Sequence, residues 1–308
     1  MHGTKRLYGL GWDEQREHEF ASWPRDMEPG RVLAEHRGAY SVLTAGGQLW
    51  AQLTGRLRHT ASARAQLPVT GHWVVLEPHD EDRATVHPEL PRPTSFSRNV
   101  AGKATEEHVL AANIDVSFLL ASLELEVNLR RIERYLTLAW SGGTDPVVVL
   151  TKSDLAGDPE DIVYELKRVE SVALGVPILL TSSATGAGLE DVRDTLSGSR
   201  TGVLLGSSGA GKSSLVNALV GNDTQEVTDV RSDGKGRHTT TRRELIALPG
   251  GGVLVDTPGL RGLKLWDQGD GVASTFSDVE EPRRAAASET AVTPRSPVVR
   301  CWRESPPE

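Results

Sequence analysis

A glycine-rich segment that begins at Gly206 constrains the fold of this chain more than any other feature. It reads GSSGAGKSS and matches the pattern G-x-x-x-x-G-K-[ST] without exception. The apolar run Gly202–Leu205 precedes it, and a run of helical character, Lys212–Val220, follows. In this context glycines let backbone N–H groups surround phosphates at the N-terminus of a helix. The segment therefore predicts a phosphate-binding loop in an α/β domain, the alternative being a chance Gly/Ser loop.

This glycine loop also predicts individual contacts. Lys212 would reach the β- and γ-phosphates of a nucleotide, and the Ser213 hydroxyl would bind Mg²⁺. The nucleotide-binding residues predicted in this segment are Gly206, Ser207, Ser208, Gly209, Ala210, Gly211, Lys212, Ser213 and Ser214.

A second motif, DTPG, begins at Asp256 at the end of the apolar run Val253–Val255. A carboxylate in this position would hold Mg²⁺, usually through water, and the Gly259 N–H would sense the γ-phosphate, so that the loop rearranges when the phosphate leaves. Taken alone, the motif could be an ordinary turn. Its position after the glycine loop favours the functional interpretation.

Two further motifs predict a guanine site. In the first, Thr151-Lys-Ser-Asp154 ends an apolar run, and Asp154 would accept hydrogen bonds from the N1–H and the exocyclic amine of guanine. Adenine lacks this donor pair, so the carboxylate selects GTP. The Lys152 stem would cover the base, although a solvated strand-end pair is the alternative. In the second, Thr181-Ser-Ser-Ala184, the backbone would support the guanine O6. The predicted base contacts are Thr151, Lys152, Ser153, Asp154, Ser182, Ser183 and Ala184.

The order of these motifs is reversed relative to ordinary GTPases, in which the phosphate loop comes first. Here Asp154 and Ala184 precede Lys212 and Asp256. A parallel sheet tolerates this change if the old termini are joined and new ones open at a loop. The stretch 186–200 would be that join.

A charged segment between the glycine loop and Asp256 reads GKGRHTTT. It predicts a mobile loop in which Thr239 or Thr240 completes the Mg²⁺ shell, and a flexible solvated loop is the alternative. Predicted metal ligands are therefore Ser213, Thr239, Thr240 and Asp256, and predicted catalytic residues are Lys212, Asp256, Gly259 and His238.

The rest of the chain divides by pattern. Residues 1–29 mix charge, Gly and Pro and predict a poorly ordered extension with one short helix. Short runs of strand character between 30 and 92 predict a small barrel. Residues 93–265 alternate strands with helices, which indicates a doubly wound sheet, and residues 266–308 lack periodicity. The predicted fold class is α/β, a circularly permuted P-loop GTPase domain with an N-terminal small β-barrel.

Composition limits the partners and the compartment. The net charge of −8 excludes a uniformly basic coat, so any RNA contact must come from a local patch. The single cysteine, Cys301, cannot form a disulfide within the chain. The N-terminus has no apolar signal region, and no apolar run is long enough to cross a membrane. We therefore expect a cytoplasmic protein.

The barrel region, TKSD, TSSA, GSSGAGKSS, GKGRHTTT and DTPGL, in this order, resemble the circularly permuted GTPases that assist small-ribosomal-subunit assembly. The resemblance covers roughly residues 30–281. It implies an OB-fold that contacts rRNA, a Mg²⁺-dependent GTPase core stimulated by the small subunit, and a C-terminal zinc domain. It also implies a hydrophobic residue, here Leu260, where many GTPases carry a water-orienting Gln. His238 is then a candidate for positioning water, and a ribosome contact is its alternative role.

The sequence departs from that family at two places. Position 151 is Thr where the usual guanine motif has Asn. The zinc pattern Cys-x4-Cys-x-His-x5-Cys is missing, so no intact zinc site is expected. Suppose that each new codon starts at the third base of a codon for residues 285–299. In this shifted reading frame, permitted synonymous codons can encode the Cys and His residues at the spacing of the zinc pattern. We therefore hypothesise a frameshift or sequencing error near 281–282, which reading the DNA would test. A genuinely divergent tail is the alternative.

These inferences combine into one functional expectation. The chain would be a monomeric GTPase that binds the small ribosomal subunit and its rRNA and cycles between GTP and GDP. The alternatives are a GTPase with a non-ribosomal partner and a nucleotide-sensing module inactivated by loss of the zinc domain. The predicted RNA contacts, any of which could also be a solvated charge, are Arg56, Arg58, Arg64, Arg92, Arg98 and Lys103.

Overall fold

Five short strands near the N-terminus close into a barrel. The computed structural model describes residues 5–36, 38–55, 67–79, 82–87, 90–100, 106–221 and 244–256. The barrel strands are β1 (Glu28–His36), β2 (Ala39–Thr44), β3 (Gln48–Leu53), β4 (Trp73–Pro78) and β5 (Arg83–His87), in the order β1-β2-β3-β5-β4. The predicted barrel is confirmed.

Alternation along each strand explains the barrel. In β3, Leu49 and Ala51 are buried, whereas Trp50 between them is exposed. The interior is narrow enough to require a glycine in β1. A Cβ at Gly30 would lie 2.6 Å from Val42 Cγ1, which is closer than side-chain carbons approach. The buried interior residues are Val32, Tyr40, Val42, Leu49, Ala51, Val74, Leu76, Ala84 and Val86.

A six-stranded sheet forms the second unit. Its strands are β8 (Val116–Ser122), β9 (Asp145–Thr151), β10 (Ile178–Leu180), β11 (Thr201–Gly206), β12 (Glu244–Ala247) and β13 (Val253–Asp256). They lie in the order β10-β9-β8-β11-β13-β12, and only β12 runs antiparallel to its neighbour. The central strands are continuous apolar runs because helices cover both faces of a parallel sheet.

Within the part of the chain that the structure describes, four helices cover this sheet. They are α3 (Leu129–Ser141), α4 (Pro159–Val172), α5 (Leu189–Thr195) and α6 (Lys212–Val220), and a 3₁₀ turn covers Ser153–Leu155. One apolar core joins one face of the sheet to α5 and α6. A second joins the opposite face to α3, α4 and the barrel. The sheet and the barrel therefore share a core.

A hairpin connects the two units. Its strands are β6 (Ser95–Val100) and β7 (Glu106–Ala112), which pair antiparallel. The sequence patterns did not predict this hairpin. Phe96, on β6, is buried in the shared core.

The N-terminal extension packs onto the barrel, so its predicted poor order was wrong. It contains α1 (Lys5–Tyr8) and α2 (Glu14–Phe20). Leu7 and Trp12 are buried, and the Trp12 ring lies edge-on to Trp73 with 4.8 Å between the ring centroids. These apolar side chains outweigh the polar composition around them. Among the described residues, no helix is long and apolar enough to cross a membrane.

A buried histidine makes the stability of the barrel depend on pH. The His72 side chain is fully buried, and its Nε2 lies 3.0 Å from the Leu90 carbonyl oxygen. Burial lowers the pKa of His72 from 6.5 to about 4. Below pH 6.5 the His72 imidazole therefore binds a proton in the unfolded chain but stays neutral in the folded protein. Stability is full above pH 6.5 and falls progressively toward pH 4.

We expect the free energy of unfolding to lose about 2 kcal/mol between pH 7 and pH 5 through His72 alone. Urea unfolding at both pH values, compared between the wild type and His72→Gln, isolates this contribution because the glutamine does not titrate. The variant should lose less stability over that interval. An equal loss in both proteins would contradict the assignment.

Candidate functional site

The predicted motifs converge at one edge of the six-stranded sheet. The carboxyl ends of parallel strands meet at the same edge, which is where α/β sheets bind ligands. TKSD begins at the last residue of β9, TSSA follows β10, the glycine loop begins at the last residue of β11, and Asp256 ends β13. In space, β8 separates β9 from β11. The reversed order along the chain therefore does not prevent the motifs from meeting.

The glycine loop turns sharply from β11 into α6. Gly209 and Gly211 have φ angles of 82° and 83°, a left-handed conformation that glycine adopts without strain. The Lys212 Nζ lies 2.6 Å from the carbonyl oxygens of both Gly206 and Ser207. The loop therefore wraps around the lysine ammonium.

The start of α6 carries the remaining features that an anion site needs. Its first N–H groups have no acceptor within the helix and carry the positive end of the helix dipole. Ser213 and Ser214 are exposed in this first turn. An ammonium group, the N–H donors of a helix N-terminus and a hydroxyl oxygen form a set of groups that fits a nucleotide phosphate with Mg²⁺.

Thr151 ties the guanine motif to the glycine loop. Its side chain is buried, and Oγ1 donates to the Ala210 carbonyl oxygen at 3.0 Å. Space is tight here, since a Cβ at Gly211 would lie 3.3 Å from the same hydroxyl. Thr151 was predicted as a base contact and as a departure from the usual Asn, but its contact with the glycine loop was not predicted. Its contact with the loop brings the predicted base site and the predicted phosphate site together.

Ser182 holds the predicted base-reading carboxylate. Its Oγ donates to Asp154 Oδ1 at 2.5 Å and accepts the backbone N–H groups of Ala184 at 3.2 Å and Thr185 at 3.1 Å. Ser182 is buried, whereas Asp154 is exposed on the 3₁₀ turn. One buried hydroxyl thus fixes an exposed carboxylate. The sequence analysis placed Ser182 in the site but did not predict this contact.

Lys152 forms an ion pair that sequence reasoning missed. Its φ is 58°, and its amino group is paired with the Glu124 carboxylate. Helix α3 begins at Leu129 and is capped by the Asn128 side chain, so Glu124 lies in the preceding loop and reaches the lysine. Ser153 is fixed by its N–H, which donates to the Thr181 carbonyl oxygen at 3.1 Å.

Several predicted residues cannot be placed. The predicted loop residues Gly259, Leu260, His238, Thr239 and Thr240, the RNA contacts Arg56, Arg58, Arg64 and Lys103, and the tail all lie outside the described residues. Asp256 is placed by its backbone, which pairs with Glu244 across β12 and β13. Arg92 donates to the Leu67 carbonyl oxygen at 3.3 Å, and Arg98 lies on β6.

Within the described ranges, no group of three or more His, Cys, Asp or Glu side chains could hold a metal ion. This finding concerns a cluster of protein ligands of the zinc type. A Mg²⁺ ion bound to a nucleotide draws several ligands from phosphate and water instead. The finding therefore does not bear on Ser213.

Comparison with known proteins places the chain among GTPases. A family model described as RsgA GTPase matches residues 89–266. A protein of Streptomyces avermitilis named small ribosomal subunit biogenesis GTPase RsgA is 48% identical over 278 residues, which cover 89% of this chain and 73% of the relative. The protein of the same name in Streptomyces coelicolor is 46% identical over 277 residues, covering 89% of this chain and 74% of the relative.

Two solved structures share the architecture. The crystal structure of YjeQ from Thermotoga maritima matches with a TM-score of 0.59 and 26% identity, covering 77% of this chain and 76% of that one. A structure described as YloQ, a circularly permuted GTPase, matches with a TM-score of 0.57 and 22% identity, covering 86% and 83% of the two chains. The second likeness concerns the fold alone.

Proposed function

This chain belongs to the RsgA GTPase family, and from that premise we propose that it hydrolyses GTP to GDP and phosphate during late maturation of the small ribosomal subunit. The predicted fold class, a circularly permuted GTPase domain after a small barrel, is confirmed. One observation carries the assignment of the nucleotide site. The Thr151 hydroxyl joins the TKSD motif to the glycine loop at Ala210, so a base and its phosphates can be held by neighbouring segments.

Asp154 reads the base in this proposal. Its carboxylate accepts hydrogen bonds from the N1–H and the exocyclic amine of guanine, and Ser182 holds the side chain for that task. The aliphatic part of the Lys152 side chain lies beside the base, while the Glu124 carboxylate restrains the Lys152 amino group. Adenine offers no matching donor pair and leaves the carboxylate without partners, which is why GTP is preferred.

Lys212 and the backbone of the glycine loop bind the phosphates. In the structure the lysine ammonium lies on the carbonyl oxygens of Gly206 and Ser207. When GTP binds, we infer that the ammonium moves to the β- and γ-phosphate oxygens, where negative charge grows during hydrolysis. The N–H groups at the start of α6 then face the same oxygens.

Mg²⁺ is the cofactor that this site implies. The Ser213 hydroxyl and, usually through water, the Asp256 carboxylate would hold it, with Thr239 or Thr240 added in the GTP state. When bound, the ion neutralises charge on the β- and γ-phosphate oxygens. Ser213 is exposed at the start of α6, where its oxygen is available as a ligand.

The reaction is attack of water on the γ-phosphorus. A new P–O bond forms to the water oxygen, the bond to the β–γ bridging oxygen breaks, and GDP and phosphate leave. The family resemblance gives Leu260 the place of a water-orienting Gln, so another group must position the water. We propose His238 for this role and Gly259 as the sensor of the γ-phosphate. Both residues lie outside the described ranges.

The outer face of the barrel is the proposed rRNA contact. Trp50 is 46% exposed on β3, and the His36 ring lies beside it with 4.6 Å between the ring centroids. Arg83 is opposite Trp50 in the parallel pairing of β3 with β5. An exposed Trp ring beside a half-buried His ring and a cation suits stacking of unpaired bases and contact with phosphates. OB-type barrels use this kind of surface for oligonucleotides.

Nucleotide state would control docking on the ribosome. We propose that GTP orders the loops at Asp256 and at 234–241 and favours binding to the subunit, and that hydrolysis favours release. The proposed compartment is the cytoplasm, which fits the single cysteine in the sequence and the role in ribosome biogenesis for which the relatives are named.

Single-turnover GTP hydrolysis with and without purified small subunits tests the function. We expect slow hydrolysis by the protein alone and an acceleration of at least about tenfold when subunits are present. Large subunits serve as the matched control and should not stimulate. GTP hydrolysis that small subunits leave unchanged would favour a non-ribosomal partner, and absence of hydrolysis in both conditions would favour an inactive nucleotide-sensing module.

A further inference from the structure

Arg31 lies buried where three parts of the chain meet: the N-terminal extension, the barrel and the six-stranded sheet. The residue is 1% exposed. Its guanidinium donates to the carbonyl oxygens of Leu10, Gly71 and Asn113, the last two at 3.1 Å each. A fourth hydrogen bond goes to Thr201 Oγ1 at 2.8 Å. One side chain of β1 therefore contacts every part of the junction.

The choice of an arginine here is costly. All four acceptors are neutral, and among the described residues no carboxylate lies within ion-pair distance of Arg31. Burial lowers the pKa of Arg31 to about 9, so the group remains charged near pH 7. An apolar side chain of similar volume would avoid the desolvation penalty. The arginine instead fixes the geometry of the junction. Its planar guanidinium makes all these hydrogen bonds only if the acceptors keep their relative positions.

Close backbone contacts surround this side chain. Gly71 has a φ of 87°, and a Cβ there would lie 2.3 Å from the Ala112 carbonyl oxygen. Gly11 has a φ of 88°, and a Cβ there would lie 3.0 Å from the Ser199 carbonyl oxygen. Both glycines allow backbone segments to touch that any other residue would separate. The junction is therefore packed tightly enough to transmit a displacement.

Thr201 connects the junction to the nucleotide site. It is the first residue of β11, whose last residue, Gly206, opens the glycine loop. The Thr201 N–H donates to Asp115 Oδ2 at 2.7 Å, and its neighbour across the sheet is Val253, at the start of β13. A displacement of Thr201 therefore reaches the two strands that end at the glycine loop and at Asp256.

We propose that Arg31 is a positioning residue that couples the barrel to the glycine loop through Thr201 and β11. The proposal rests on the proposed function, in which RNA binds to the barrel. RNA binding shifts β1 relative to the sheet, Arg31 transmits this displacement to Thr201, and β11 transmits it to the phosphate site. By thermodynamic linkage, the nucleotide changes the affinity of the barrel for its ligand by the same factor.

The first experiment measures that coupling factor. The affinity for purified small subunits is determined with GDP and with a non-hydrolysable GTP analogue, for the wild type, Arg31→Met, Arg31→Lys and Thr201→Val. We expect about a tenfold difference between the two nucleotides in the wild type and at most about twofold in Arg31→Met and Thr201→Val. Arg31→Lys should retain part of the difference. Hydrolysis without subunits should stay within about twofold of the wild type in all variants.

A merely structural role predicts another pattern. Loss of packing would lower the thermal midpoint and weaken subunit binding equally with both nucleotides, leaving the coupling factor unchanged. That result would overturn the proposal. If Arg31→Met does not fold, Thr201→Val and Arg31→Lys decide the question, because each removes only part of the hydrogen bonding.

A second experiment needs no ribosome. Hydrogen exchange of the isolated protein is compared with GDP and with the GTP analogue. We expect nucleotide-dependent protection in β1 and β4 of the wild type and none in Thr201→Val. Equal protection changes in both proteins would overturn the coupling. If small subunits fail to bind the wild type with either nucleotide, the proposed function fails, and this exchange measurement still decides the role of Arg31.

Discussion

Replacement of Lys212 by alanine is expected to lower the rate constant of GTP hydrolysis by roughly 10²- to 10³-fold, with and without small subunits. Lys212 is the cation that the glycine loop holds, since its ammonium lies on the carbonyl oxygens of Gly206 and Ser207. Charge moves onto the β- and γ-phosphate oxygens as the bond to the leaving GDP breaks. An alanine leaves that growing charge without its fixed counter-charge.

The fold should survive this change. Lys212 is the first residue of α6, and the helix is anchored by buried residues such as Leu215 and Leu219. Lys167→Ala, which removes an exposed lysine from α4, is the matched control because it alters the net charge equally. Single-turnover hydrolysis of both variants, with circular dichroism as a check on folding, provides the measurement. A Lys212→Ala protein that hydrolyses GTP at the rate of Lys167→Ala would contradict the role of the lysine.

The motifs of the site were predictable because each depends on short-range chemistry. A strand, a turn with glycines of positive φ and a helix N-terminus are specified within a few residues, and the structure places Gly209, Gly211 and Lys212 in that arrangement. A single site could also be predicted despite the reversed order of the motifs, because the carboxyl ends of parallel strands lie at the same edge of the sheet whatever the connections between them. The continuous apolar runs of β8, β9 and β11 indicated burial on both faces.

The contacts that fix the site were not predictable from pattern. Ser182 holds Asp154 across 28 positions of sequence, and Thr151 reaches Ala210 across 59. A hydroxyl can serve many partners, so neither contact has a local signature. Arg31 is a stronger case, because its hydrogen bond to Thr201 spans 170 positions and an isolated arginine in a strand resembles a surface charge.

The errors in the predicted fold also arose where the local sequence pattern does not reveal the structure. The hairpin of β6 and β7 was missed because its first strand follows a proline-rich segment and its residues mix polar and apolar types. The extension looked disordered by composition, yet Leu7 and Trp12 find a surface on the barrel that sequence alone does not reveal.

Substitution of Asp154 by asparagine should change which nucleotide the protein binds. Guanine offers two donors, N1–H and the exocyclic amine, and the carboxylate accepts both. The asparagine amide accepts one of them and turns its own N–H₂ toward the other, so a donor faces a donor. Polar groups that face each other without forming a hydrogen bond in the complex weaken binding strongly, and we expect GTP affinity to fall by roughly 10²- to 10⁴-fold.

Xanthine is the base that should rescue the variant. Its carbonyl oxygen replaces the exocyclic amine of guanine, so the introduced asparagine amide donates to that oxygen while its own oxygen accepts the ring N–H. Asp154→Asn should therefore bind and hydrolyse XTP better than GTP, and the wild type should show the reverse preference. The buried Ser182 hydroxyl can hold the amide oxygen as it holds Asp154 Oδ1, so the side chain keeps its orientation. Competition of GTP and XTP for a fluorescent nucleotide measures both affinities, and Asp158→Asn, an equal change of charge at the start of α4, is the control. If Asp154→Asn kept the wild-type preference for GTP, the base would have to be read elsewhere, and the site built on TKSD and TSSA would be wrong.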